Sequence, residues 1–298
     1  MNRAIRILIA LGLATSVVSP RVCVAADGKA ADPATQAMAR VYSDAHVHFH
    51  IRSAQDFDRI AEWMKSVNVD RVINHPLRQS LPRDDNERAQ MLANYARYKG
   101  VIERFCIIYP EDVETVEQAV AILTREKEEG AIGFGEHYGT KLMFDDPQNM
   151  RLYAACEKVG LPVMFHMDRN QNLDEKGLPR LENVLKAYPK CILIAHSDWW
   201  KNLGDGTCGR LLETYPNLYA DISCTVVRSA IGRDKNMARE FFIKHAEKLL
   251  FGTDSGWWSF NKPPMPEFSL IEELKLPKDV EDKICRLNME KLFPVKSP

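Results

Sequence analysis

The sequence predicts a (β/α)8 barrel built as one domain. From Val41 onward, eight apolar runs of strand length alternate with helical patterns, at about 30 residues per unit. The runs are continuously apolar, as strands covered by helices must be. Histidines and carboxylates recur at the C-terminal ends of the runs, the face on which such barrels build their sites. An open doubly wound sheet fits less well. No Gly-x-Gly-x-x-Gly follows any strand, and eight units overfill it.

Strands are expected at 41–47, 69–74, 101–109, 131–134, 161–165, 191–195, 218–222 and 249–252. Helices are expected between them at 54–66, 85–99, 111–129, 147–159, 179–188, 203–215 and 236–247, with two more at 267–274 and 278–292. The third helix shows the logic. Val113, Val116, Val120 and Leu123 form one apolar stripe, Glu114, Glu117, Arg125 and Lys127 occupy other faces, and Gly130 stops it. Gly160-Leu-Pro, Tyr188-Pro-Lys and Tyr215-Pro-Asn each pair a helix stop with a chain reversal before strands five, six and seven.

The N-terminus is a separate segment. Arg3 and Arg6 precede an apolar run from Ile7 to Val18, and small residues follow around Ala25 and Ala26. This order is that of a secretory signal peptide, and the run is too short for a transmembrane span. The chain thus divides into a signal peptide at 1–26, a leader at 27–40 and the barrel domain at 41–293. The expected location is periplasmic or secreted, with no membrane association after cleavage. Removing Arg3, Arg6 and Arg21 moves the net charge from −1 to −4. Neither value suits a dedicated nucleic-acid binder. Export permits a disulfide among Cys106, Cys156, Cys191, Cys208, Cys224 and Cys285, and their wide spacing selects no pair.

The chemistry-bearing residues sit at strand ends. In Asp44-Ala-His46-Val-His48, the two histidines share one face of a strand, about 7 Å apart. Glu136 follows the fourth run, His166 the fifth, His196 the sixth and Asp254 the eighth. Imidazoles and carboxylates converging on one rim suit Zn²⁺ or Mn²⁺. His50 continues the alternation of the first strand, and His245 falls on a helix. Trp199, Trp200, Trp257 and Trp258 follow strands six and eight, where a stacking wall for a ring-bearing substrate is expected; His137, Arg169, His75 and Arg228 are candidates to hold a substrate anion.

These motifs resemble the amidohydrolase superfamily, in its amidohydrolase-2 and TatD-like branches. They are Asp44-x-His46-x-His48, Leu161-Pro-Val-Met-Phe-His166, Ile194-Ala-His196, Leu218-Tyr-Ala-Asp221-Ile-Ser223, Phe251-Gly-Thr-Asp254 and the closing Asn288-Met-Glu-Lys-Leu-Phe293. The resemblance implies that His46, His48 and Asp254 bind one divalent metal and that His166 is a ligand. His196 ligates a second metal in two-metal relatives and transfers protons in one-metal relatives. Asp254 is then both ligand and base for a metal-activated water. No Lys stands at the strand-four position that carries a bridging carboxylated Lys in many relatives; Gly135-Glu136 is similar to the Gly-Glu of TatD-like enzymes, whose Glu bridges metals.

The expected activity is hydrolysis of an amide, lactone or related ester in a small organic substrate, with one or two metals per chain. A metal-dependent decarboxylase on the same scaffold is the first rival. A TatD-like nuclease is the second, disfavoured by export and by the lack of a basic stripe. A non-catalytic binding module is the third, and it has no need of both Asp254 and His196. The sequence allows a homo-oligomer.

Overall fold

The computed structural model describes residues 40–260 and 266–295. The expected signal peptide and most of the leader lie outside the described residues. The strands are β1 (Tyr42–His48), β2 (Val69–Asn74), β3 (Ile102–Cys106), β4 (Ala131–His137), β5 (Val163–Phe165), β6 (Leu193–Ala195), β7 (Leu218–Asp221), β8 (Leu249–Leu250) and β9 (Ser255–Gly256). All neighbours pair in parallel, in the order β8-β7-β6-β5-β4-β3-β2-β1-β9. β9 resumes the path of β8 after four residues and lies along β1. The ring is closed over that gap by Ala45 N donating to Phe251 O at 2.9 Å and Asp254 N donating to His46 O at 2.9 Å. The (β/α)8 barrel expected from the sequence is therefore present.

The α-helices are α1 (Ala54–Ser66), α2 (Asp85–Arg97), α3 (Val116–Glu128), α4 (Pro147–Val159), α5 (Pro179–Ala187), α6 (Thr207–Thr214), α7 (Thr225–Arg233), α8 (Lys235–Lys244), α9 (Pro266–Glu273), α10 (Lys278–Asp282) and α11 (Asn288–Leu292). Local chemistry sets several starts. The Asp84 side chain accepts from Glu87 N at 2.8 Å, Thr115 Oγ1 from Gln118 N at 3.1 Å, and Asp234 from Asn236 N and Met237 N at 3.0 Å. Because Thr115 caps α3, that helix begins later than its apolar stripe suggested, after a 3-10 turn at Pro110–Asp112. α7 was not expected. Its Thr225-Val-Val start has weak helix propensity, and tertiary packing of Val227, Ala230 and Ile231 overrides it.

Two apolar cores hold the fold. The larger lies between the sheet and the helices. The smaller fills the barrel with Ala45, Ile73, Phe105, Met164, Ile194 and Leu250, and is closed at the bottom by Met289 and Phe293. Gly133 faces the Phe105 ring so closely that a Cβ would overlap it, which is why a glycine stands in β4. The six cysteines of the domain are free thiols. Among the described residues, no helix is long and apolar enough to cross a membrane.

Candidate active site

The C-terminal ends of the strands deliver seven side chains to one place. His46 and His48 come from β1, Glu136 from β4, His166 from just past β5, His196 from just past β6, Asp221 from the end of β7 and Asp254 from the link between β8 and β9. All six residues expected to ligate a metal are thus on this rim.

Glu136 lies at the centre, and its two oxygens face different histidines. Oε2 is 3.1 Å from His48 Nε2 and 3.5 Å from His46 Nε2. Oε1 is 2.6 Å from His166 Nδ1 and 3.4 Å from His196 Nε2. Asp254 Oδ1 stands 3.4 Å from His48 Nε2, with its side chain 36% exposed. Glu136, His46, His48 and His196 are all buried. Burial alone would raise the Glu136 carboxyl, but the charge on His196 and the hydrogen bonds from the histidines hold it well below the usual range. Burial pulls His46 down, and the Asp221 and Glu136 carboxylates outweigh it and raise it. His166 is raised in the same way, with Glu136 and Asp168 outweighing burial.

The outer ring nitrogens are tied back. Asp221 Oδ2 is 2.7 Å from His46 Nδ1, and Oδ1 is 3.0 Å from His196 Nδ1. The Ser223 hydroxyl donates to Asp221 Oδ2 at 2.5 Å. His48 Nδ1 lies 2.8 Å from the carbonyl of His75. An ionised carboxylate or a carbonyl only accepts, so these three Nδ1 atoms carry the proton. The Nε2 atoms of His46, His48 and His196 are therefore aimed inward, where a bound cation would take the place of their protons. This is how histidine ligands are oriented for a metal. The backbone is held in the left-handed region just past β6, β7 and β8, at Ser197 (φ 60°), Cys224 (φ 94°) and Asp254 (φ 53°). Non-glycine residues pay for that conformation, and such costs cluster at functional sites.

The donor set suits a divalent cation of the zinc or manganese type. Three sets of donor atoms lie within 4.8 Å of one another: His46/His196/Asp221, His46/His48/Glu136 and Glu136/His166/His196. Among the described residues, no Lys or Arg pairs with Glu136, Asp221 or Asp254. The carboxylates at the centre are therefore balanced only by imidazoles.

The expected substrate contacts fare differently. His137 is fully buried on the opposite side of β4 from Glu136, because successive strand residues alternate faces. It bonds Asn149 at 3.1 Å, and burial pushes it down to about 4. Trp199 is fully buried against Trp200 in a 3-10 turn. Trp257 packs between Phe49 and Phe260 under Arg59, and its indole N–H donates to His50 O at 2.9 Å. These three side chains serve packing and do not join the cluster. Arg169 is exposed in the loop after β5 and pairs with no carboxylate among the described residues. His75 buttresses His48 through its backbone, and Arg228 binds Pro266 O and Glu273.

Three residues gain roles that sequence analysis did not assign. Asp221 and Ser223 stood in a quoted motif without a role, although Asp221 ends a strand as the other site residues do. Tyr138 gave no signal. Its hydroxyl donates to Glu136 Oε2, and its ring lies 5.3 Å from that of His166.

A parallel barrel with histidines and carboxylates gathered at its strand ends is the class that fold and site define. Residues 43–295 match the amidohydrolase family, and the chain belongs to it. No curated protein sequence matches the chain. Among solved structures, an uncharacterised TIM-barrel protein from Bordetella bronchiseptica is similar at 17% identity and a TM-score of 0.63, over 85% of this chain and 98% of that one. A candidate 2-pyrone-4,6-dicarboxylic acid hydrolase from Pseudomonas putida is similar at 14% identity and 0.59, over 86% and 99%. A dihydroxybenzoic acid decarboxylase from Polaromonas, solved with manganese and 2-nitroresorcinol, is similar at 13% identity and 0.53, over 86% and 98%.

Proposed function

We propose that the chain is a metal-dependent hydrolase of a small organic substrate, cleaving an amide, lactone or related ester bond. One observation carries the proposal: the two oxygens of Glu136 face separate histidine sets while Asp254 stands beside them on the open side. His46, His48, Asp254 and Glu136 Oε2 would hold one divalent cation, zinc or manganese. Glu136 Oε1, His166 and His196 would hold a second. Bound there, a cation supplies Lewis-acid polarisation and lowers the pKa of a water.

The chain's own residues do the rest. Asp254 takes the proton of the attacking water, which its partial exposure allows. Asp221 holds the Nδ1–H of His46 and of His196, so the Nε2 atom of each ring faces the centre. If one cation suffices, His196 Nε2 stays free to take up a proton and hand it on to the leaving group. Decarboxylation on the same residues is the second reading. It is favoured by Arg169, exposed in the loop after β5 and paired with no carboxylate among the described residues, which suits a substrate carboxylate, and is in keeping with the activity named for the Polaromonas neighbour.

The test is elemental analysis of the purified protein, followed by a screen of amides, lactones and aromatic carboxylates with carbon dioxide measured. Cation-dependent cleavage without carbon dioxide supports the hydrolase. Release of carbon dioxide replaces it with the second reading. No turnover by metal-loaded protein overturns both.

A further inference from the structure

β9 lies parallel to β1 with Gly256 opposite His48 and Ser255 opposite Val47. The pleats of paired neighbours are in phase, so Gly256 and His48 address the same face of the sheet. That is the face from which the His48 ring reaches Glu136 and Asp254. The Cβ direction of Gly256 therefore lies on the face of the sheet that carries the site.

The six-membered ring of Trp258 fills the space in that direction. A Cβ at position 256 would overlap the ring and would come within 2.7 Å of the His48 carbonyl. Gly256 has φ −146°, extended backbone that any residue adopts. The glycine is required for room. Trp258 is nonetheless 51% exposed, more than any other large apolar side chain among the described residues. Trp63, Trp199, Trp200 and Trp257 each pack against another aromatic ring, whereas Trp258 has no ring partner among the described residues. One side of the indole is seated on the backbone beside His48, and half of its surface faces water.

We propose that Trp258, seated by Gly256, is the specificity-determining wall of this site and selects flat, ring-bearing substrates over puckered ones of equal size. The proposal rests on the His and carboxylate centre being the reactive one. A planar ring laid on the indole gains offset stacking, which a saturated ring cannot make. For a contact of this kind the gain is about tenfold in affinity. Seating the indole on the backbone also fixes its orientation in advance.

The test compares benzamide with cyclohexanecarboxamide, two neutral probes with the same amide and the same ring size. Binding to the full chain is measured by calorimetry, once loaded with manganese and once after chelation. Benzamide is expected to bind about tenfold more tightly. Trp258→Ala and Gly256→Val are expected to shrink the preference to within about twofold, the second by evicting the indole, and Trp258→Phe to keep most of it. Thermal melts check that the variants are folded. No preference in the wild type, or the same preference in folded Trp258→Ala, overturns the proposal. A preference that survives chelation in a protein with no cation-dependent turnover leaves the wall standing and removes the metal reading.

Discussion

His46 and His196 are held by a single carboxylate: Asp221 places one oxygen 2.7 Å from Nδ1 of the first and the other 3.0 Å from Nδ1 of the second. One side chain on β7 thus orients two rings that arrive from β1 and from just past β6. An amide at this position accepts through its oxygen only, so one of the two histidines must lose its partner. Asp221→Asn is expected to weaken divalent cation binding by about 10–100-fold. Titration of chelated protein with zinc or manganese measures it, and unchanged affinity refutes the role.

Asp254 is the most exposed member of the cluster, and its only ion-pair partner among the described residues is His48. Its removal opens no cavity in the core. Asp254→Ala is therefore expected to lose turnover and bound metal while the stability of the chelated protein changes by only about 0.5 kcal/mol. Full activity with chelator-resistant metal in this variant would remove Asp254 from the site.

The strand ends were legible because each apolar run stops at a residue of metal-binding type, and a barrel brings every such stop to one rim. Direction was harder to read. Glu136 and His137 are adjacent, and alternation along a strand sends only one of them inward. That rule was available in the sequence and separates the ligand candidate from the packed imidazole. The tryptophans show the opposite limit. Whether Trp257 or Trp258 faces the site depends on the room left at Gly256 and on the Phe49, Phe260 and Arg59 cluster that claims Trp257. No spacing encodes that choice. Tyr138 was missed for a similar reason, since a single tyrosine past a strand carries no periodic signal.

The Arg3, Arg6 and Ile7–Val18 pattern predicts a mature protein that begins near Ala26 or Asp27. N-terminal sequencing of the protein from its native host reads this directly. An intact Met1 on the active protein would end the export proposal.

Proton linkage gives the metal-free protein a distinctive pH profile. His46 and His166 are raised above 6.5, so the stability they contribute is complete below 6.5 and is lost as pH climbs through their folded values. Asp44 is buried and lifted from 3.8 to about 7, so its contribution is complete below 3.8, declines above that and is gone soon after pH 7, which leaves the fall at higher pH to the two histidines. His75 and His137 are pushed down by burial and work the other way, but only below 6.5. Glu136 and Asp221 are lowered, and their contribution is lost only in acid, below 4.5 and 3.8. Chelated protein should therefore melt at progressively lower temperature from pH 6.5 to 9. Saturating zinc or manganese should reverse the loss, because the cation replaces the protons. A melting temperature that stays flat over this range in chelator contradicts the assignment.

Glu136 decides how many cations the centre holds. Two cations a few ångströms apart repel each other, so a two-metal site needs an anion between them. Asp221 also bridges the two sets, but from behind, at the outer Nδ1 atoms; Glu136 lies between their inward-facing nitrogens, with Oε2 toward His46 and His48 and Oε1 toward His166 and His196. The favoured expectation is a content near two per chain that falls towards one in Glu136→Gln, because an amide offers one acceptor atom where the carboxylate offered two. The His46, His48 and Asp254 set keeps three donors without Glu136, whereas the other set keeps only His166 and His196. The cation lost should be the second. His196→Asn then provides the discriminating comparison. In a two-cation site it also lowers the metal content; in a one-cation site it abolishes turnover and leaves the content unchanged. A wild-type protein that saturates at one cation, with full activity in Glu136→Gln, refutes the bridge.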